Sequence, residues 1–166
     1  LTARFVDGPP RPFSARVSPL QATFPSASRG WPMILAVLAL VATGMSGAIA
    51  ALGDTLFKAE TLREAIAQDF SSSSHIFLRL RILHPVIALI GGAAALMVAY
   101  RTMTTNPNRP NARQLGLVLA ALVVSQWFLG LTNLVLLAPT WLQIVHLLVA
   151  DLIWMSLVLV AADTEA

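Results

Sequence analysis

Residues 76–100 read IFLRLRILHPVIALIGGAAALMVAY, and this stretch decides the fold. Between Arg81 and Tyr100 its one polar side chain is His84. The stretch exceeds the ~20 residues that an α-helix needs to cross a bilayer. An imidazole in hydrocarbon is costly, so it normally faces the interior of a helix bundle. We therefore predict a transmembrane helix that carries a functional histidine.

Three further segments of the chain have the same apolar character. They run approximately over residues 32–53, 115–137 and 141–162, and each reaches the length of a membrane span. Helices satisfy their backbone hydrogen bonds in hydrocarbon without closing a barrel. The composition agrees, because 57% of the residues are hydrophobic and 11% are charged, against about 25% charged residues in soluble domains. We predict an all-α membrane four-helix bundle over residues 32–162.

The basic residues outside the spans predict an orientation. Residues 1–31 form a proline-rich basic arm or linker, and the 101–113 loop carries three arginines. Cytoplasmic loops of membrane proteins carry an excess of lysine and arginine. We therefore expect a multi-pass protein of the cell (plasma) membrane, with the arm and the 163–166 tail in the cytoplasm and the 54–74 loop outside. On this interpretation the net charge of +3 reflects topology and lipid contact, not nucleic-acid binding.

A second histidine in an apolar segment makes a shared cofactor the leading hypothesis. His146 lies in the fourth segment, which the topology makes parallel to the second. At ~1.5 Å per residue, His84 lies ~15 Å and His146 ~10 Å from the outer ends of their segments. We expect one haem, with His84 and His146 as the axial ligands of its iron. The chain has no cysteine, which excludes thiolate metal sites, iron–sulfur clusters and c-type haem attachment.

Small and polar residues near the histidines favour the same site. A porphyrin needs flat surfaces of small residues beside its ligands. Small residues follow His84 on its helix face, at Ala88, Gly91, Gly92 and Ala95. The first span adds Gly44, Ser46, Gly47, Ala48, Ala50 and Ala51. Close helix packing explains the small residues of the first span equally well. Gln126, Gly130 and Asn133 share a face of the third segment, where an amide can hydrogen-bond a ligand imidazole or simply join two helices.

Charged residues inside or beside the spans have separate expected roles. Arg81 lies one turn outward of His84 on nearly the same face, so we expect it to bind a haem propionate. Arg79 points elsewhere and is expected to extend to the lipid headgroups. Asp151 lies about 140° around its helix from His146, and it needs a partner in the bundle, in another subunit or in another part of the protein. The sequence assigns no role to His75.

Six short motifs surround the two histidines. They are residues 43–49 (TGMSGAI), 51–57 (ALGDTLF), 79–85 (RLRILHP), 136–139 (LLAP), 143–148 (QIVHLL) and 150–152 (ADL). In this order, across roughly residues 32–162, they resemble the haem A synthase family of cytochrome oxidase assembly proteins. The match is specific because the motifs include both histidines.

The resemblance implies a role in haem chemistry. Proteins of that family consist of two pseudo-repeated four-helix bundles, each with a histidine pair, and they oxidise the C8 methyl group of haem O to the formyl group of haem A. By resemblance, His84 and His146 are the axial pair of the C-terminal bundle, which holds one b-type haem. The resemblance also implies haem O as the substrate of the complete protein and a haem O synthase as a partner.

Departures from the family pattern limit the implied activity. Arg81 stands where the catalytic half has a glutamate, and the chain has four spans where most members have eight. The chain also begins with Leu1 in place of Met and lacks the cysteine pair of some members. We expect a C-terminal half that serves electron transfer or structural support, with no catalytic residue of its own. A missing N-terminal bundle or a homo-oligomer would complete the oxidoreductase, and whether this chain alone is an enzyme stays open.

Two alternatives remain open from the sequence. The first is a small bis-histidine membrane cytochrome that passes electrons from quinol to a partner. The second is a cofactor-free membrane scaffold whose histidines only pack. An optical spectrum of the purified chain separates the scaffold from the two haem-binding hypotheses.

Overall fold

The computed structural model describes residues 27–71, 75–105 and 110–165, and all the regular secondary structure in these ranges is helical. The helices are α1 Ala27–Leu56, α2 Leu62–Phe70, α3 Ile76–Arg81, α4 Leu83–Thr105, α5 Pro110–Val135 and α6 Thr140–Glu165. With α3 and α4 taken as one span, the helices long and apolar enough to cross a membrane are Gly30–Leu56, Ile76–Thr105, Asn111–Val135 and Thr140–Asp163. The predicted all-α membrane four-helix bundle is confirmed.

The helices extend beyond the apolar segments from which they were predicted. α1 begins at Ala27, ahead of Pro32, so residues 27–31 belong to a helix and not to the basic arm. The rest of that arm lies outside the described residues. α5 begins at Pro110 and α6 continues to Glu165. The apolar pattern marks only the part of a helix that suits hydrocarbon, whereas backbone hydrogen bonding continues past that part.

The second span is interrupted at Ile82, where the sequence predicted one continuous helix. Pro85 explains the interruption, because proline has no N–H to donate to the carbonyl of Arg81 and its ring crowds that carbonyl. Proline is tolerated in the first turn of a helix, and Pro85 lies in the first turn of α4. The relative direction of Arg81 and His84 is therefore set by a turn of the chain, not by a regular helix.

A short helix, α2, lies in the loop that the sequence analysis treated only as a polar connection. Thr61 caps it, since the Thr61 side chain accepts a hydrogen bond from the Glu64 N–H at 3.2 Å. The Glu64 carboxylate in turn accepts from the Glu60 N–H at 2.9 Å. A threonine followed three residues later by glutamate is typical of a helix N-terminus. The sequence therefore did contain a signal for α2, which packs against α3.

The packed hydrophobic core occupies one half of the bundle. Extensive helix contacts follow chain order, with α1 on α4, α4 on α5 and α5 on α6. Buried side chains from these helices meet between the middle of the bundle and the end opposite α2: Ala36, Ala95, Val98, Ala99, Leu119, Val123, Ile153, Leu157 and Val160. Both histidines of the predicted site lie in the other half, towards α2.

Close approach of α1 and α4 depends on Gly91. A Cβ at this position would meet Thr43 Oγ1 and would lie 3.2 Å from the carbonyl oxygen of Ala39, a backbone atom that cannot rotate away. Gly44, on α1, faces open space, with nothing within 4 Å of a Cβ built there. The two glycines therefore differ in what an added methyl group would meet.

We expect Gly91→Ala to lower the stability of the bundle by roughly 1–3 kcal/mol, because the methyl group forces α1 and α4 apart. Gly44→Ala is the matched control and should not lower stability, because alanine with free space in a helix interior is roughly 0.5–1 kcal/mol more favourable than glycine. Thermal unfolding in detergent, followed by circular dichroism, measures both. Equal stability of the two variants would contradict the packing role of Gly91.

Candidate functional site

The first site residue, His84, is held by α1. Its Nδ1 lies 3.0 Å from Ser46 Oγ, and the Ser46 hydroxyl donates to the Thr43 carbonyl oxygen at 2.9 Å. A hydroxyl has one proton to donate, so while that proton is donated to the Thr43 carbonyl, Ser46 is an acceptor for the His84 tautomer that carries its proton on Nδ1. The lone pair of Nε2 is then available to a metal. The ring packs on Gly47, where a Cβ would lie 3.1 Å from His84 Cε1.

The second site residue, His146, is held by α5. Its Nε2 lies 3.2 Å from the side-chain nitrogen of Gln126, so of the two roles left open for this face of the third span, contact with a histidine is the one seen for Gln126. A Cβ at Gly130 would lie 3.4 Å from His146 Cε1. Nδ1 of His146, Oε1 of Gln126 and Oδ1 of Asn133 are buried, and among the described residues none of these atoms has a hydrogen-bond partner. Buried polar atoms without partners are rare and are typical of sites that take up a ligand or water.

The two imidazoles face the same region of the bundle. Both side chains are half-buried, and both lie in the half of the bundle towards α2. At ~1.5 Å per residue, Ser46 beside His84 lies ~15 Å from the end of α1, and His146 lies ~9 Å from the start of α6. Their helices, α4 and α6, are not neighbours in the chain-order packing. The structure thus places two histidines from separate helices in the same half of the bundle.

The small residues of α4 pack helices together, contrary to the prediction that they line a cofactor. Gly91 admits α1, and a Cβ at Gly92 would lie 2.6 Å from Trp127 Nε1. That indole nitrogen donates to the Ala88 carbonyl oxygen at 3.2 Å, which fixes α5 against α4. This role of Trp127 was not predicted, because a single tryptophan in an apolar span does not indicate which helix it contacts.

Arg81 lies in an ion-pair cluster at the α2 end of the bundle. Its Nη1 donates to Asp54 at 2.7 Å, while Nε and Nη2 both donate to one oxygen of Asp69. The Arg81 side chain is only 13% exposed. The sequence analysis expected a propionate here and missed both aspartates, because they are distant in the chain and α2 was not predicted. The cluster joins α1 and α2 to α3, and the side chain of Arg79 lies outside the described residues.

His75 and Asp151 stand apart from this site. His75 precedes α3, where its Nδ1 accepts from the Phe77 N–H at 3.4 Å. Its ring packs near Phe57 and Phe77, with centroid distances of 5.3 and 5.0 Å. Asp151 is exposed on α6, so a partner for it within this bundle is not seen among the described residues, and a partner in another subunit or another part of the protein stays a prediction. His75 therefore has a structural role that makes it a useful control for the other two histidines.

An open groove of about 490 Å³ lies between α5 and α6 at the end opposite α2. Its lining residues are Asn111, Gln114, Leu115, Val118, Leu159 and Asp163. None of these is a histidine, and the groove is on the far side of the packed core from His84 and His146. We assign it no part in the site.

The donor set suits a metal that brings most of its ligands with it. Among the described residues, no three His, Cys, Asp or Glu side chains converge as ligands for a metal ion. A haem brings its equatorial nitrogens in the porphyrin and takes axial ligands from the protein. Three features fit such a group. His84 has a lone pair available, a glycine lies beside each ring, and polar atoms around His146 have no partner among the described residues.

We expect Asp69→Asn to loosen α2, because it removes one of the two anions that hold Arg81. Loss of a charged partner from this largely buried cluster costs roughly 1–3 kcal/mol. Hydrogen–deuterium exchange of the α2 amides should become correspondingly faster. Glu60→Gln, a neutralised exposed acid just before α2, is the control and should leave that exchange unchanged. Equal α2 protection in both variants would show that the cluster does not hold the helix.

Comparisons with known proteins agree with the motifs. The family model described as cytochrome oxidase assembly protein matches residues 13–158. Two curated proteins, from two strains of Thermus thermophilus, are both named protoheme IX farnesyltransferase and are 41% and 40% identical to this chain over 134 residues. Each match covers 81% of this chain and 22% of the relative, so the chain spans about a fifth of the length of these proteins. No solved structure matches the chain.

The region matched by the family model includes both histidines and the residues that hold them, Ser46 and Gln126. Four apolar helices in a membrane-associated family identify a multi-pass membrane protein. The chain belongs to the haem A synthase family of cytochrome oxidase assembly proteins.

Proposed function

We propose that this chain is the haem b-binding C-terminal half of a haem A synthase-type protein, with one haem held between His84 and His146. The observation that supports this best is the pair of half-buried imidazoles from α4 and α6, which lie together in the half of the bundle away from the packed core. Each ring lies against a glycine and has a hydrogen-bonding neighbour at one nitrogen. Such contacts orient an imidazole, which an axial ligand requires.

The role proposed for this bundle is electron transfer or structural support in haem A synthesis. A haem with both axial positions filled supplies one-electron redox chemistry and no open position for oxygen. The residues of this chain bind and orient it, His84 with the help of Ser46 and His146 with the help of α5. We assign no catalytic residue here, because Arg81 stands where the related catalytic half has glutamate, and a guanidinium does not accept a proton at neutral pH.

Arg81 keeps the capacity to meet a haem propionate in this proposal. A guanidinium has five N–H donors, and the three bonds to Asp54 and Asp69 do not use all of them. A propionate would, however, add a third carboxylate around one cation, and like charges disfavour this. We therefore expect Arg81 to contribute more to holding α2 and α3 together than to haem affinity.

The proposed partners follow from the relatives and from the apolar surface. A segment like this chain makes up 22% of proteins named protoheme IX farnesyltransferase. Farnesylated protohaem is haem O, the substrate proposed for the complete protein. We therefore propose a haem O synthase as the supplier of substrate, and an N-terminal bundle or a second copy of this chain as the catalytic partner. Membrane lipid surrounds the spans.

The proposed location is the plasma membrane, with the α2 end outside. Arg101 near the end of α4 and Arg113 near the start of α5 lie at the opposite end of the bundle, and the positive-inside rule assigns such arginine-rich ends to the cytoplasm. Both termini would then be cytoplasmic. The histidine pair would lie towards the outer leaflet.

We expect His84→Ala and His146→Ala each to abolish the low-spin, six-coordinate spectrum of bound haem, because one remaining imidazole leaves the iron unsaturated. His75→Ala is the matched control and should keep the spectrum. Oxidised and reduced optical spectra of the purified protein measure this. A bis-histidine spectrum in either site variant would refute the axial assignment. A complete lack of haem in the unmutated protein would instead favour a scaffold.

The purified chain alone should bind haem yet fail to convert haem O into haem A, because its iron is saturated and Arg81 cannot serve as a base. Adding the N-terminal bundle of a family member should restore conversion, which chromatography of extracted haems detects. Haem A formed by the chain without a partner would overturn the half-protein proposal. Quinol oxidation without haem A in either mixture would favour the membrane cytochrome.

A further inference from the structure

The two site histidines differ in what meets their Nδ1 atoms. Nδ1 of His84 lies 3.0 Å from Ser46 Oγ, so its proton has an acceptor. Nδ1 of His146 is buried and has no hydrogen-bond partner in the part of the chain that the structure describes. A buried donor without an acceptor is costly. The difference indicates that His146 lacks a contact that His84 already has.

Gln126 determines which nitrogen of His146 carries the proton. Its side-chain nitrogen lies 3.2 Å from Nε2 of His146, and an amide nitrogen acts only as a donor. With the Gln126 amide in this orientation, Nε2 is the acceptor and the ring proton is on Nδ1; a neutral imidazole whose Nε2 binds a metal also carries its proton there. A metal that takes this lone pair must displace the Gln126 amide, and the Nδ1 proton then still needs an acceptor.

Asn133 offers the complementary acceptor on the same face of α5. Gly130 lies against Cε1 of His146, the atom between the two ring nitrogens. Gln126 precedes Gly130 by four residues and Asn133 follows it by three, ~6 Å and ~4.5 Å along the helix axis. Gln126 meets Nε2 from one side of Gly130, so the polar side chain of α5 available to Nδ1 on the other side of Gly130 is Asn133. Oδ1 of Asn133 is buried and, across the described ranges, has no partner.

We propose that Asn133 is the positioning residue for His146. Its Oδ1 would accept a hydrogen bond from the Nδ1–H when iron occupies Nε2. Gln126 holds the ring until iron displaces its amide. This inference rests on the proposed haem site and gives each ligand its own partner, Ser46 on α1 and Asn133 on α5. Metal-bound histidines almost always donate their second N–H to an acceptor, and that bond fixes the ring and raises its basicity.

The test compares haem-loaded variants by midpoint potential and by the rate of haem loss. Asn133→Leu removes the acceptor at similar volume. It should raise the potential, because a less basic imidazole stabilises ferric iron less, and it should speed haem loss about 10-fold. Asn133→Asp keeps an acceptor and should retain haem at a lower potential. Ser46→Ala removes the hydrogen bond seen at His84 and should shift the potential in the same direction as Asn133→Leu.

Two further variants separate a bond to His146 from a general effect of changing α5. Thr132→Val alters an exposed neighbour whose hydroxyl bonds the Phe128 carbonyl at 2.8 Å, and it should match the unmutated protein. Gln126→Leu should speed haem loading, because no amide then has to leave Nε2. A higher potential in Gln126→Leu, with none in Asn133→Leu, would make Gln126 the partner and overturn the inference.

The outcomes distinguish this inference from the haem site on which it rests. If Asn133→Leu has the potential and the rate of haem loss of the unmutated protein, the inference fails. The haem site still stands in that case when His84→Ala and His146→Ala lose the low-spin spectrum. An unmutated protein without low-spin haem overturns both.

Discussion

An imidazole buried in a membrane must have its polar atoms satisfied by neighbouring helices, and the arrangement of this bundle follows from that constraint. The histidines lie on α4 and α6, and their hydrogen-bonding neighbours lie on α1 and α5. Chain-order packing puts each supporting helix beside the helix that it serves. Gly47 and Gly130 then allow each ring to lie against the backbone of the supporting helix.

The packed core and the candidate site lie in different halves of the bundle. Apolar side chains from the four spans pack between the middle of the bundle and the end opposite α2, and such packing gives a rigid base. Towards α2, polar contacts replace that packing, and the Arg81 cluster joins the outer elements. Functional side chains keep their geometry best on rigid elements. The core therefore supports the histidines without enclosing them.

Local sequence features predicted the four spans and grouped Gln126, Gly130 and Asn133 on one helix face, because hydropathy and helical periodicity act over a few residues. The interruption caused by Pro85 and the cap formed by Thr61 were also readable locally. The contacts of Arg81 and Trp127 were not, because they join residues up to 39 positions apart. Those contacts depend on how the helices rotate about their axes, which the apolar pattern leaves undetermined.

The interruption at Ile82 gives the two polar residues of the second span different surroundings. In a regular helix, residues three apart share a face, so Arg81 would lie above His84. Here Arg81 pairs with Asp54 and Asp69, while His84 contacts Ser46. The turn at Ile82 thus leaves Arg81 free to join α1 and α2 to α3, while α1 orients His84. One short interruption therefore separates a residue that holds the helices together from a residue proposed to bind haem.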